Sequence, residues 1–65
     1  MIILCATLEA AAQVLAVLTQ AHLRLGLDFH IAPLDGGAPL RITVLATLPA
    51  DVLRQLRAIP DTIIT

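Results

Sequence analysis

The side chains able to do acid–base chemistry are few, and two of them lie close together in sequence. Asp28 and His30 are two positions apart, which would put both on one side of an extended strand. General acid–base catalysis needs such groups within hydrogen-bond reach of a reacting atom in a pocket. The sequence offers no nucleophile with a positioned base. We therefore interpret the pair as polar residues on a strand surface, predict no catalytic residue and do not expect an enzyme.

Metal, cofactor and phosphate sites are not indicated either. Cys5, His22 and His30 are too far apart in sequence for a zinc-ligand cluster. Cys5 is the only cysteine, and we expect it to behave as a small buried hydrophobe. The segment Asp35-Gly36-Gly37 lacks the Lys-Ser/Thr pair and the following helix of a phosphate-binding loop. We predict that it forms a hairpin turn.

The composition is very apolar for a chain of 65 residues. Hydrophobic residues make up 58% and charged residues 14%, against about 25% charged residues in an average domain. The mean hydropathy is +0.93. A domain of this size buries only about 60% of the surface of its unfolded chain, so many apolar side chains must stay exposed. Because large exposed apolar patches usually mark interfaces, we expect a homodimer or a higher oligomer.

Nucleic-acid and membrane partners are not expected. The net charge is −1, and Phe29 is the only aromatic residue, whereas sheets that bind RNA need stacking aromatics and basic residues. The uncharged run 10–23 is interrupted by polar residues such as Gln13 and His22, and a membrane-spanning helix needs about 20 apolar residues. The first residues carry no basic side chain of the kind that opens a secretion signal. A cytoplasmic location is therefore expected.

Hydrophobic periodicity predicts how these residues are arranged in a fold. The elements are a strand, a helix, two strands, a helix and a strand. The strands are predicted at 1–6, 23–32, 40–47 and 61–65. The first helix is predicted at 8–21, and the second is predicted to begin within 47–51 and to end at the residue before Pro60. Thr7 is the predicted N-cap of the first helix, and the turn across Pro33–Pro39 joins the two alternating strands. The buried helix faces are predicted to contain Ala11, Val14, Leu15, Leu18 and His22, and Val52, Leu53, Leu56 and Ile59.

This order predicts a single α+β domain over residues 1–65 with a ferredoxin-like βαββαβ fold. Right-handed crossovers would place the first and third strands in the middle of a four-stranded antiparallel sheet. Both helices would cover the same face of that sheet. The other face would stay uncovered although its strands carry apolar residues, which again favours a partner.

Ile31-Ala32-Pro33, followed by a turn and Arg41-Ile42-Thr43-Val44, resembles the strand–turn–strand of an ACT domain, a βαββαβ module that regulates enzymes of amino-acid metabolism. Within that family it is similar to the small regulatory subunit of acetohydroxyacid synthase (acetolactate synthase). Arg57-Ala58-Ile59-Pro60-Asp61-Thr62-Ile63 resembles the passage from second helix to last strand in ACT domains generally, including those of phosphoglycerate dehydrogenases. The resemblance implies a non-catalytic regulatory subunit that dimerises and binds the catalytic subunit of an enzyme of branched-chain amino-acid biosynthesis.

The resemblance also implies a place for a small amino-acid effector. ACT domains that bind amino acids use the turn between the first strand and the first helix, where free backbone N–H groups meet a carboxylate. Here that turn corresponds to Thr7, Leu8, Glu9, Ala10 and Ala11. It departs from the family pattern because it has neither Gly nor Pro, and because Glu9 would repel a carboxylate. The departure favours a regulatory subunit without strong effector control.

Two alternatives stay open at this stage. One is an amino-acid-sensing ACT domain of another enzyme, such as a phosphoglycerate dehydrogenase. The other is a structural or designed ferredoxin-like domain that binds no ligand, with which the lysine-free, Ala- and Leu-rich composition is compatible. No cofactor is predicted under any of these readings.

Overall fold

A computed structural model describes residues 1–33 and 40–65. Its elements follow the predicted order and are β1 Ile2–Cys5, α1 Leu8–Gln20, β2 Phe29–Ala32, β3 Leu40–Val44, α2 Ala50–Arg57 and β4 Thr62–Ile64. The predicted hairpin turn over 33–39 falls, apart from Pro33, outside the described residues. In the part of the chain that is described, neither helix is long and apolar enough to cross a membrane.

The strands form one antiparallel sheet with the order β2-β3-β1-β4. This order confirms the predicted ferredoxin-like arrangement, with the first and third strands in the middle. The register pairs Ile3 of β1 with Ile42 of β3 and with Ile64 of β4. Because side chains alternate across a strand, this register brings apolar residues of three strands together on one face.

The core lies between this face and the two helices. Ile3 and Cys5 of β1, Ile42 and Val44 of β3 and Phe29 of β2 are all at most 3% exposed. The helices and their flanks complete the core with Ala10, Ala11, Val14, Leu18, Leu48, Val52, Leu56 and Ile59. No polar or charged side chain is buried among the described residues.

The first helix begins as predicted and ends on a residue that sequence reasoning misjudged. Thr7 is the N-cap, whereas His22, predicted for the buried face, is exposed with a φ of 64°. The His22 N–H donates to the Thr19 carbonyl (3.0 Å) and the Leu23 N–H to the Leu18 carbonyl (3.1 Å). These two bonds form a Schellman motif, whose left-handed position is usually glycine. The chain therefore leaves the helix axis at His22, and the imidazole cannot reach the core.

Residues 23–28 are not part of a strand, contrary to the alternation of their sequence. β2 begins only at Phe29, and Gly26 adopts a φ of 89°. The Asp28 carboxylate accepts a hydrogen bond from the Arg24 N–H at 2.8 Å, which closes a turn. Leu25 and Leu27 consequently point outward and are 64% and 67% exposed. Side-chain alternation alone cannot distinguish a strand from a turn that happens to alternate.

Candidate functional site

The turn between β1 and α1, where the resemblance places an effector, is closed by its own hydrogen bonds. Thr7 has extended backbone angles, and its Oγ1 accepts a hydrogen bond from the Ala10 N–H at 3.0 Å. The Thr7 carbonyl accepts from the Ala11 N–H at 3.1 Å. Two of the N–H groups in the predicted binding segment are therefore occupied within the chain.

A shallow depression of about 130 Å³ lies beside this turn. It is lined by Thr7, Glu9, Ala10, Gln13, Pro60 and Asp61. Thr7, Glu9 and Ala10 were predicted for such a site, whereas Leu8 and Ala11 do not line it. Leu8 is 72% exposed, and Ala11 packs into the core at 2% exposure.

The opposite wall of the depression comes from the turn between α2 and β4, which sequence reasoning did not associate with the site. The Ala6 N–H donates to the Asp61 carbonyl at 2.9 Å, and this bond holds the two turns together. Asp61 has a φ of 61° and follows Pro60, the pattern of a tight turn with a left-handed third residue. The Pro60-Asp61 pair signals the turn, but only the pairing of β1 with β4 reveals its proximity to Thr7.

The charge of the depression opposes an amino-acid carboxylate. Glu9 and Asp61 both contribute acidic side chains to its lining. Like charges raise the free energy of an anion bound between them, and the favourable field of the α1 N-terminus amounts to only about 0.3–1 kcal/mol at an exposed site. The depression is therefore poorly suited to a carboxylate ligand.

The remaining chemically capable residues have structural positions. The Asp28 carboxylate closes its own turn, and His30 is exposed on β2, where it pairs with Thr43. Cys5 is fully buried, and this burial raises the pKa of its thiol. No group of three or more His, Cys, Asp or Glu side chains able to hold a metal ion occurs within residues 1–33 and 40–65.

A second depression, of about 240 Å³, lies where α1 and α2 meet. Its lining combines apolar residues with glutamine and aspartate side chains. The residues are Val17, Gln20, Ala21, Asp51, Val52 and Gln55. Its lining contains neither a histidine nor a cysteine, and Asp51 is the one ionisable side chain in it.

The side of the sheet that neither described helix covers is here called the open face. It is opposite the helices and, by strand alternation, carries Ile2, Leu4, His30, Ala32, Arg41, Thr43 and Ile63. Ile2 is 38% exposed and Ile63 62% exposed, and Leu45, just beyond β3, is 58% exposed. Apolar side chains on neighbouring strands thus remain in contact with solvent.

Comparison with known proteins gives no relative. No protein family matches the chain, no curated protein is significantly similar to it, and no solved structure matches it.

Proposed function

We propose that this chain is a non-catalytic regulatory module of ACT type that associates with itself and with the catalytic subunit of an amino-acid biosynthetic enzyme. The observation that carries the proposal is the open face. A chain that leaves Ile2, Ile63 and Leu45 exposed on one face of its sheet gains free energy when a second surface covers them, at about 25 cal/mol per Å² of apolar area.

A binding role fits the described residues better than a catalytic one. The buried side chains are apolar, and the polar groups that are ordered, such as Thr7 and Asp28, satisfy backbone N–H groups. A catalytic site needs groups held unsatisfied and aimed at a substrate. The arrangement supplies surfaces instead of reactive groups.

The catalytic subunit of acetohydroxyacid synthase is the partner we propose, and this choice rests on sequence resemblance. The segments 31–33 and 41–44 resemble the small regulatory subunit of that enzyme, and the segment 57–63 resembles ACT domains in general. The ferredoxin-like arrangement of the sheet supports the choice, since the same fold is expected for that subunit. In this role the chain would stabilise the active form of the catalytic subunit and contribute no residue to the reaction.

A reconstitution experiment tests this proposal. The purified chain is mixed with the acetohydroxyacid synthase catalytic subunit, and both co-elution and the rate of acetolactate formation are measured. We expect co-elution and a higher rate. The absence of both effects at micromolar concentrations would remove this partner, and bovine serum albumin at equal mass concentration is the control for non-specific stabilisation.

An amino-acid sensor is the second candidate, favoured by the depression at Thr7 and Asp61. Titration calorimetry with valine, leucine, isoleucine and serine distinguishes the two candidates. Because Glu9 and Asp61 are acidic, we expect no saturable heat up to millimolar ligand. Saturable binding of one amino acid whose affinity changes in Asp61→Asn would favour the sensor.

A further inference from the structure

The two edges of the sheet differ in their capacity to accept another strand, and the β2 edge is largely blocked. The Leu45 N–H donates to the Asp28 carbonyl, so by antiparallel alternation the backbone groups of Phe29, Ile31 and Pro33 point away from β3. The Phe29 carbonyl already accepts from the Gly26 N–H at 2.8 Å, and the Phe29 N–H approaches the Arg24 carbonyl at 3.4 Å. Pro33 has no N–H to donate, so among the residues that the structure describes only Ile31 has both of its outward backbone groups without a described partner.

The β4 edge, in contrast, carries outward backbone N–H and C=O groups that no described strand pairs with. Thr65 exchanges two backbone hydrogen bonds with Ile2, at 3.1 and 2.9 Å, and the Asp61 carbonyl accepts from Ala6 at 2.9 Å. Alternation then directs Thr65, Ile63 and Asp61 toward β1, and the N–H and C=O groups of Thr62 and Ile64 away from it. On that side of β4 lies none of the described strands.

We propose that a second copy of this chain adds its β4 to this edge in antiparallel orientation, joining two four-stranded sheets into one. This inference rests on the self-association proposed above and assigns it to the β4 edge, which leaves the open face for the catalytic subunit. The edge is self-complementary about a two-fold axis at Ile63. Thr62 of one copy exchanges two hydrogen bonds with Ile64 of the second copy, and the symmetry repeats the exchange. The outward edge of each β4 offers two N–H donors and two C=O acceptors, from Thr62 and Ile64. In antiparallel orientation, each donor of one copy meets an acceptor of the other.

The side chains at the axis favour the same pairing. Ile63 of each copy would form a non-hydrogen-bonded pair, with Cα atoms about 4.5 Å apart and side chains on the same face. At 62% exposure, Ile63 is among the most exposed large apolar residues of the sheet. Cross-strand pairs of β-branched residues contribute roughly 0.2–1 kcal/mol each. The pairing would also extend the open face continuously from one copy to the next.

A matched pair of lysine substitutions tests the proposal by sedimentation velocity. Ile63→Lys sets two like charges opposite each other at the axis, and we expect the dissociation constant of the dimer to rise at least about tenfold. Leu27→Lys makes the same change at a site of similar exposure, 67%. Because Leu27 lies in the turn before β2, at the opposite edge of the sheet from β4, the dimer of that variant should match the wild type. Circular dichroism verifies that both variants are folded.

Each outcome of this test is decisive. If Ile63→Lys dimerises like the wild type, or if Leu27→Lys dissociates as readily as Ile63→Lys, the β4 pairing is wrong while self-association stands. A wild-type chain that is monomeric up to 1 mM would overturn both. Should Ile63→Lys fail to fold, Ile63→Cys replaces it. Oxidised glutathione should then link two copies covalently through residue 63, and no link beyond that of a Leu27→Cys control would contradict the proposal.

Discussion

His22 occupies a backbone conformation that its side chain does not favour. Its φ of 64° completes the Schellman motif that ends α1. A left-handed conformation costs a residue with a Cβ roughly 1–2 kcal/mol, and part of this cost disappears when glycine stands there. The imidazole is exposed, so its removal sacrifices no buried contact.

We therefore predict that His22→Gly raises the free energy of unfolding by about 1 kcal/mol. Urea denaturation followed by circular dichroism measures the change. His22→Ala keeps the Cβ and is the matched control, for which no comparable gain is expected. Equal gains in both variants would mean that loss of the imidazole, and not relief of the backbone, is responsible.

Cys5 links the stability of the protein to alkaline pH. Burial raises the pKa of its thiol, so the folded state retains the proton at pH values where the unfolded state has lost it. This contribution is complete below the unfolded-state pKa and declines as pH rises toward the folded-state pKa. The chain contains no tyrosine, and all of its basic residues other than histidine are arginines, so few other groups titrate in this window.

The free energy of unfolding should therefore fall as pH rises through the usual thiol range of about 8.5. Chemical denaturation at a series of pH values measures the slope. In Cys5→Ala the overall stability is lower because a buried atom is lost, but the alkaline slope should largely vanish. A slope that persists unchanged in that variant would assign the titration to another group.

Among the elements, the turn at 24–28 shows most clearly what sequence reasoning misses. Alternating hydrophobicity over 23–32 predicted one long strand, but only Phe29–Ala32 forms it. Two local devices override the pattern, namely the positive φ of Gly26 and the hydrogen bond from the Arg24 N–H to Asp28. Neither feature identifies a turn from the sequence alone, because glycine also occurs in strands and aspartate side chains bond the backbone in many geometries.

Gly26 should accordingly be intolerant of substitution although space surrounds it. A Cβ at this position would meet no atom within 4 Å, so any loss arises from the φ of 89°. We predict that Gly26→Ala lowers the free energy of unfolding by about 1 kcal/mol and that Gly26→Asn lowers it less, since asparagine tolerates positive φ. Thermal unfolding of the two variants provides the measurement, and equal losses would contradict this origin.

Other elements could be predicted from local signals. Thr7 fulfils its predicted capping role, and Val14 and Leu18 lie on the buried side of α1 as their spacing indicates. The candidate site was recovered only in part. Thr7, Glu9 and Ala10 line the depression, but Asp61 is distant in sequence and reaches it through the pairing of β1 with β4, which no local pattern encodes.

At the scale of the whole molecule, stability depends on few buried side chains. Leu56 is fully buried between the sheet and α1, and truncation of such a leucine costs about 2–5 kcal/mol. A domain of 65 residues has a total stability of roughly 3–10 kcal/mol at about 0.05–0.15 kcal/mol per residue. Truncation of one core leucine therefore removes much of the free energy of unfolding.

Leu56→Ala should leave the protein partly unfolded at 37 °C, whereas Leu45→Ala should change its stability by less than about 0.5 kcal/mol. The two leucines differ in exposure, 0% against 58%, which makes them a matched pair. Thermal unfolding monitored by circular dichroism measures both. A comparable loss in Leu45→Ala would indicate that its side chain is covered in solution.

The hydrogen bonds between Ile2 and Thr65 have a kinetic consequence. They join residues 63 positions apart, so the pairing of β4 with β1 is a highly non-local contact, and such non-local closure slows folding. A circular permutant that connects Thr65 to Met1 through a short glycine-containing linker, with new ends between Ala46 and Thr47, would turn this pair into a local hairpin. Its refolding is expected to be faster than that of the parent, with the same sheet at the end of the reaction.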